Sequence, residues 1–319
     1  MFVTTDVTFR KSYVRRSFLV RRKLQRRWKH RWTPTLTDIL IGICYRQMKK
    51  IFLLLIILVS SLLALLTPRI ARADERLFTY SYEANVLPMG TFEFEQWVTN
   101  QNGKEDGDFS QWNFRTEIEY GVTDSYTSSL YLNWDSTRSE GVTDVEEADS
   151  AEFKGISWEN VYQLLNPNID PVGLAVYSEL TSDGLDYEIE TKLLVSKPIG
   201  EFSLVANAIY EAEWEREDNQ TAEEGTLEFT FGTSYKISPA WAVGIEARNK
   251  SAYPDGVNLS GQEFQTWSVG PNIHYGTPKW WATLTILPQI WGNGEGAEGN
   301  RQLVHEESLE VRLITGIHL

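Results

Sequence analysis

From residue 91 onward the chain alternates apolar and polar side chains in long runs. In residues 201–215, Phe202, Leu204, Ala206, Ala208, Tyr210, Ala212 and Trp214 carry no charge, while Glu211, Glu213 and Glu215 fall on the alternate set. A period of two marks a β-strand. The same reading predicts strands near 91–100, 110–120, 125–136, 153–165, 172–181, 186–196, 201–215, 225–237, 240–250, 262–275, 279–291 and 307–319, twelve in all. No stretch of this region joins a 3.6-residue period to helix caps, so little helix is expected.

The connections differ in kind. GVTD (121–124), NPNIDP (166–171), KPIG (197–200), SP (238–239) and GTP (276–278) are short turns. Between them fall longer polar stretches at 101–109, 136–152, 216–224, 251–261 and 292–306, with a short one near 181–184. Short turns at one end and longer loops at the other are the pattern of an up-and-down barrel in an outer membrane, with the short turns periplasmic.

The faces agree with that solvent. Residues 110–120 set Trp112, Phe114, Ile118 and Tyr120 against Arg115, Glu117 and Glu119, and residues 186–196 set Tyr187, Ile189 and Leu193 against Glu188, Glu190 and Lys192. Residues 225–237 oppose Leu227, Phe229 and Phe231 to Glu228, and the last run opposes Leu309, Val311 and Leu313 to Glu310 and Arg312. A spanning strand needs ~9–11 residues, and a charge facing lipid at mid-depth costs ~2–4 kcal/mol. The expected fold is therefore all-β, a membrane-spanning antiparallel up-and-down barrel of about twelve strands. A soluble β-sandwich also alternates, but its strands are shorter and its outer faces charged. Aromatics gather beside the short turns at Tyr120, Tyr126, Phe202, Tyr235, Trp241, Tyr275 and Trp280, where an interfacial girdle belongs. Asn160 and Pro271 on outer faces, and Val161, Leu194 and Ile209 on inner ones, break the pattern.

With the charged alternates turned inward, Glu93, Glu95, Glu213, Glu246 and Arg248 join the lumen set from the remaining strands. Acids far outnumber bases there, and acidic rings favour cations in pores. Paired with their few bases, the same acids would instead close the lumen. Twelve strands lie between the ~8 that side chains fill and the ~16–18 that leave an open channel.

Charge separates the chain into two parts. Residues 1–73 hold 16 Lys/Arg and 2 Asp/Glu, which leaves 14 and 42 of the totals of 30 and 44 for residues 74–319. So acidic a body argues against a nucleic-acid partner. Met48-Lys49-Lys50, the apolar run Ile51–Leu66 and Ala71-Arg72-Ala73 form the three parts of a signal peptide, with cleavage expected after Ala73. The 16-residue apolar run is short for a membrane anchor. Residues 1–47, rich in Arg and Trp, read as an upstream extension outside the native protein, and residues 74–90 as a periplasmic lead-in to the barrel at 91–319. The single Cys44 lies in the leader, so the body has neither disulfide nor cysteine metal site.

Catalytic chemistry is thinly represented. His274, His305 and His318 are the histidines of the body, and His305 with Ser308 is the one nearby pair. A lipid-hydrolase barrel and a scaffold that only presents loops are the alternatives to a channel; no enzyme activity, cofactor or metal is expected. Asp106, Asp108, Glu146, Glu147 and Asp149 offer carboxylates for Ca²⁺ but match no defined loop, and a solvated surface is the plainer reading.

With its signal peptide, twelve alternating segments and the opening YSYEANVLPMGTFEFEQWVT (Tyr80–Thr99), the chain resembles Gram-negative outer-membrane β-barrel proteins. It is similar in style to the transporter barrels grouped with a phenol-degradation pathway. Most such barrels end in Phe or Trp, whereas this one ends in Leu319. The resemblance implies an outer-membrane location, contact with lipid and lipopolysaccharide, assembly by the barrel-assembly machinery, and passive transport of a small solute.

Overall fold

The computed structural model describes residues 75–319 except Asp144, Glu146, Asp218, Asn219 and Val257. The extension at 1–47, the signal peptide at 48–73 and its cleavage site, Cys44 and Glu146 therefore lie outside the described residues.

Twelve strands run β1 (Phe92–Asn102), β2 (Asp108–Thr123), β3 (Tyr126–Glu140), β4 (Ala148–Leu165), β5 (Gly173–Ser182), β6 (Tyr187–Ile199), β7 (Phe202–Glu217), β8 (Gln220–Lys236), β9 (Trp241–Tyr253), β10 (Phe264–Gly276), β11 (Trp280–Gly294) and β12 (Leu309–His318). Each pairs antiparallel with its neighbours in sequence, and β1 pairs with β12 from Glu93↔His318 to Asn102↔Leu309, closing the barrel. Closure leaves no free edge. The predicted strands all form, with shifted ends. The largest shift extends β3 and β4 to Ser139↔Ala148, through residues expected to be loop. Both faces of that extension are polar, so the ladder continues where the alternation that marks a spanning strand has faded. A bulge between Asn133 and Trp134 begins it. Gly155 sits there with φ 101°, and an added Cβ would lie 2.4 Å from the Ser182 carbonyl oxygen.

The outer surface is an apolar belt. Phe114, Ile118, Leu130, Leu132, Ile156, Trp158, Leu180, Leu193, Phe231 and Ile245 are all exposed, while their chain neighbours on the opposite face are mostly buried or half-buried. In water each such side chain would forgo ~1.5–3 kcal/mol of burial; lipid removes that cost, and the barrel is membrane-spanning. At the short-turn end the belt closes in facing aromatics: Phe92–Tyr120 at 4.5 Å, Phe202–Tyr235 at 4.8 Å, Trp241–Tyr275 at 4.7 Å and Tyr275–Trp280 at 5.2 Å between ring centres. Asn160, the polar exception on the outer face, accepts hydrogen bonds from Tyr126 Oη at 2.6 Å and Ser128 Oγ at 3.3 Å, which satisfies it beside this girdle.

Residues 75–90 depart from expectation. They are not a lead-in outside the barrel but a strap through its lumen. Phe78, Ala84 and Leu87 are fully buried there. The strap explains the apolar inner positions: Val161 and Leu194 pack with Tyr82 and Ala84, and Val205 and Ala242 pack with Leu77 and Phe78.

Candidate functional site

Apart from the Gly90 amide, which donates to the Gly121 carbonyl at 2.8 Å, the strap pairs with no described strand, and side chains of the wall hold its backbone. The carboxylate of Glu246, on β9, accepts three successive amide protons, from Thr79 at 2.9 Å, Tyr80 at 2.8 Å and Ser81 at 2.9 Å, and a fourth from Thr285 Oγ1 at 2.6 Å. Asn207, on β7, pairs with Tyr82 as another strand would, accepting from its N–H at 2.7 Å and donating to its carbonyl at 3.0 Å. Further along, the Ala84 amide donates to Ser196 Oγ, the Leu87 amide to Thr127 Oγ1 and Gln163 Nε2 to the Ala84 carbonyl. At the other end Thr283 donates to the Arg76 carbonyl, and His274 sits between Thr283 Oγ1 at 2.8 Å and Glu75 Oε2 at 3.3 Å. These contacts mostly lie in the half of the barrel nearer the short turns, which the strap crosses from the β10–β11 wall to β3.

Beyond the strap the lumen is a layer of acids, bases and rings. Lys192 lies 3.9 Å from the Tyr82 ring centre and 4.0 Å from that of Tyr177, with Glu190 at 2.7 Å. Arg312 lies 4.1 Å from the Tyr80 ring, and Arg115 lies 4.2 Å from Tyr131 while it pairs with Glu179. Arg248 bridges Glu228 at 2.6 Å and Glu310 at 2.7 Å across the interior. Of the sequence-assigned lumen residues, Glu93, Glu95, Glu117, Glu119, Lys192, Glu246 and Glu310 are buried on the inner face. Arg115, Glu188, Glu190, Glu211, Glu213, Glu228, Arg248 and Arg312 are half-buried there. Tyr131, Tyr177 and Trp97 are buried among them. Above this layer a cavity of about 300 Å³ is lined by Trp97, Thr99, Asn113, Arg115, Asn133, Glu179, Glu188, Glu213 and Arg312, among others.

The loop between β11 and β12 folds inward over the long-loop end. Gln302 is fully buried, exchanging hydrogen bonds with Gln289 at 2.8 and 2.9 Å. Glu306, Glu307 and Glu310 bring carboxylate oxygens within 4.8 Å of one another. Each already has a cation: Lys250 at 2.7 Å, Lys104 at 2.9 Å and Arg248 at 2.7 Å. The cluster is an ion-pair network. Burial, with Glu306 and Glu310 adding to it and Lys104 opposing, holds the Glu307 carboxyl above its ordinary value. Among the acids weighed for Ca²⁺, Asp106 instead clasps the neighbouring loop, accepting from Thr143 N at 2.9 Å and Thr143 Oγ1 at 2.6 Å. His305 stacks on the Phe264 ring at 5.4 Å, and Ser308 donates to the Asn102 carbonyl. Those two side chains serve structure.

Neither the strap nor the inward loop is visible in an alternation pattern. The available signal was the excess of apolar and amide side chains on inner faces: Val161, Leu194, Asn207 and Asn272 need a partner inside the barrel.

Closed antiparallel strands, an apolar belt and an aromatic girdle around a charged lumen define a transmembrane β-barrel. The chain belongs to DUF6662, a family of unknown function, whose model matches residues 70–319. Among curated proteins, none matches the sequence. Of solved structures, the COG4313 outer-membrane channel from Pseudomonas putida F1 is similar at 14% identity and a TM-score of 0.54, over 76% of this chain and 100% of that one. The NanC porin is similar at 10% identity and a TM-score of 0.43, over 71% of this chain and 100% of its own. The first likeness establishes the shared fold.

Proposed function

We propose that this protein is a passive channel of the Gram-negative outer membrane for small solutes, with a lumen that favours cations and a strap that closes it at rest. The observation that carries this reading is the inner face itself. It is lined by carboxylates well in excess of its bases, and one crossing segment of the chain's own backbone, packed on a minority of apolar side chains, fills only part of it. A wall built only as a scaffold has no need of this polar interior, whose charges must each be compensated. Export through the signal peptide with cleavage after Ala73, short turns in the periplasm, a belt in contact with outer-membrane lipid and lipopolysaccharide, and insertion by the barrel-assembly machinery complete the proposal.

The test is conductance across a planar bilayer with asymmetric KCl. Discrete steps are expected, with a reversal potential on the cation side, and larger or more frequent steps once the strap is loosened by Glu246→Gln. Anion selectivity would overturn the acidic-lumen reading. A folded, heat-resistant barrel silent both with and without the strap's anchor would overturn the channel itself.

A further inference from the structure

Arg76 is the one basic residue the strap carries, and it occupies a cage. Its guanidinium carbon lies 4.4 Å from the Tyr82 ring centre and 4.9 Å from that of Trp97, and its Nε is 3.3 Å from Glu95 Oε1. Glu117 stands directly across from Glu95, and Tyr131 directly across from Glu117. Tyr131 donates its hydroxyl to Glu159 Oε2. Glu95, Glu117 and Glu159 all act electrostatically on Arg76. One carboxylate therefore pairs with the guanidinium, and two more lie within reach of its charge.

They are not used up by it. Oε1 of Glu159 has no hydrogen-bond donor, although Glu159 is 1% exposed, and the fully buried Glu117 carboxyl meets only another carboxyl, that of Glu95, and the Tyr131 hydroxyl, whose proton goes to Glu159. Buried carboxylate oxygens without donors are costly, and a bound cation removes the cost. The cage lacks the geometry of a metal site. Among the described residues only Glu306, Glu307 and Glu310 bring three such ligand atoms within 4.8 Å of one another. Aromatic faces set beside spread carboxylates suit a planar, weakly hydrated organic cation with several donors instead.

We propose that the cage of Glu95, Glu117, Glu159, Trp97 and Tyr131 is a binding site for a small organic cation of the guanidinium class, and that Arg76 is its tethered occupant. The proposal rests on the channel reading and names the class of solute that the channel admits. A solute of that class takes the place of Arg76 and so favours release of the first residues of the strap.

The experiment uses the full chain expressed and purified in detergent, with methylguanidinium titrated calorimetrically against wild type, Arg76→Ala and Arg76→Ala/Glu117→Gln, and NaCl of equal ionic strength as control. Arg76→Ala is expected to bind methylguanidinium at least tenfold more tightly than wild type, and adding Glu117→Gln to weaken that binding at least tenfold. Equal binding by all three proteins, or none by a folded Arg76→Ala barrel, overturns the proposal. Should Arg76→Ala not fold, it is refolded with millimolar methylguanidinium: recovery of the heat-resistant band beyond that given by NaCl supports the cage, and no recovery overturns it. Conductance is read separately. A barrel that binds methylguanidinium yet never conducts refutes the channel reading and leaves the cage standing.

Discussion

Replacing Glu246 with Gln tests the strap most directly. The carboxylate divides its four close bonds evenly: Oε1 accepts from the Thr79 amide and Thr285 Oγ1, and Oε2 from the Tyr80 and Ser81 amides. A glutamine keeps one acceptor oxygen. With its oxygen kept on the Tyr80 and Ser81 amides, its NH₂ turns to Thr285 Oγ1, a wall hydroxyl that can accept, and the Thr79 amide loses its partner. One hydrogen bond from the strap to a charged group is lost, which weakens the strap by ~1.5–3 kcal/mol. With tenfold per ~1.4 kcal/mol, the undocked population rises by at least ~10-fold. Hydrogen exchange read by mass spectrometry on peptides covering residues 75–90 is the assay, with β3–β4 peptides as the internal reference. Exchange in the strap is expected to accelerate by about 10-fold or more while the wall is unchanged. A strap that exchanges at the wild-type rate in a folded Glu246→Gln barrel would refute the idea that this carboxylate holds it.

Gly232→Ala places a Cβ 2.6 Å from Phe78 Cε1 and 2.7 Å from Val205 Cγ2, and is expected to expel Phe78 and speed strap exchange while the barrel stays heat-resistant; unchanged exchange would mean that Phe78 has room to move. Gly270→Ala sets a Cβ 1.7 Å from the Ile286 carbonyl oxygen, which is backbone and cannot turn aside, so the β10–β11 pairing is expected to fail and the heat-resistant band to vanish. Leu132→Arg, on the lipid face, is expected to cost ~2–4 kcal/mol in equilibrium unfolding from bilayers, whereas a loss under ~1 kcal/mol would place it at the interface. Hydrogen bonds from Thr143 hold Asp106 below the ordinary carboxylate range. The clasp's stabilisation is therefore complete above the unfolded value of ~3.9 and is lost only as pH falls through the lower folded value. Protection of the Thr143 amide is expected to stay level from neutral pH to about that value and to drop below it; loss near neutrality would contradict the assignment.

The wall was legible because lipid enforces the alternation. Every spanning strand must turn uncharged side chains outward, so Phe202 to Trp214 announces a strand and its orientation at once. Outside the membrane that demand ends, and the upper parts of β3 and β4, polar on both faces, read as loop. The strap was illegible for a different reason. Residues 75–90 form no repeating structure, and their partners are single side chains on walls up to some 200 positions away, such as Glu246 and Thr283. Val161 and Leu194 were visible as anomalies, but only the strap gives them a reason. The acids of the lumen could be named one by one from strand parity; which of them meet across the interior depends on the closure of β1 on β12.

The strap precedes every strand of the barrel, yet much of its hold comes from β7, β9, β10 and β11, in the second half of the wall. Contacts of such separation form slowly, since the ends of a long intervening chain must be brought together. Were docking to complete assembly, each newly made molecule would pass through a stage in which the wall is closed and the interior is still empty. An insertion pathway that releases the barrel before the strap has found Glu246 would deliver a briefly leaky pore to the membrane.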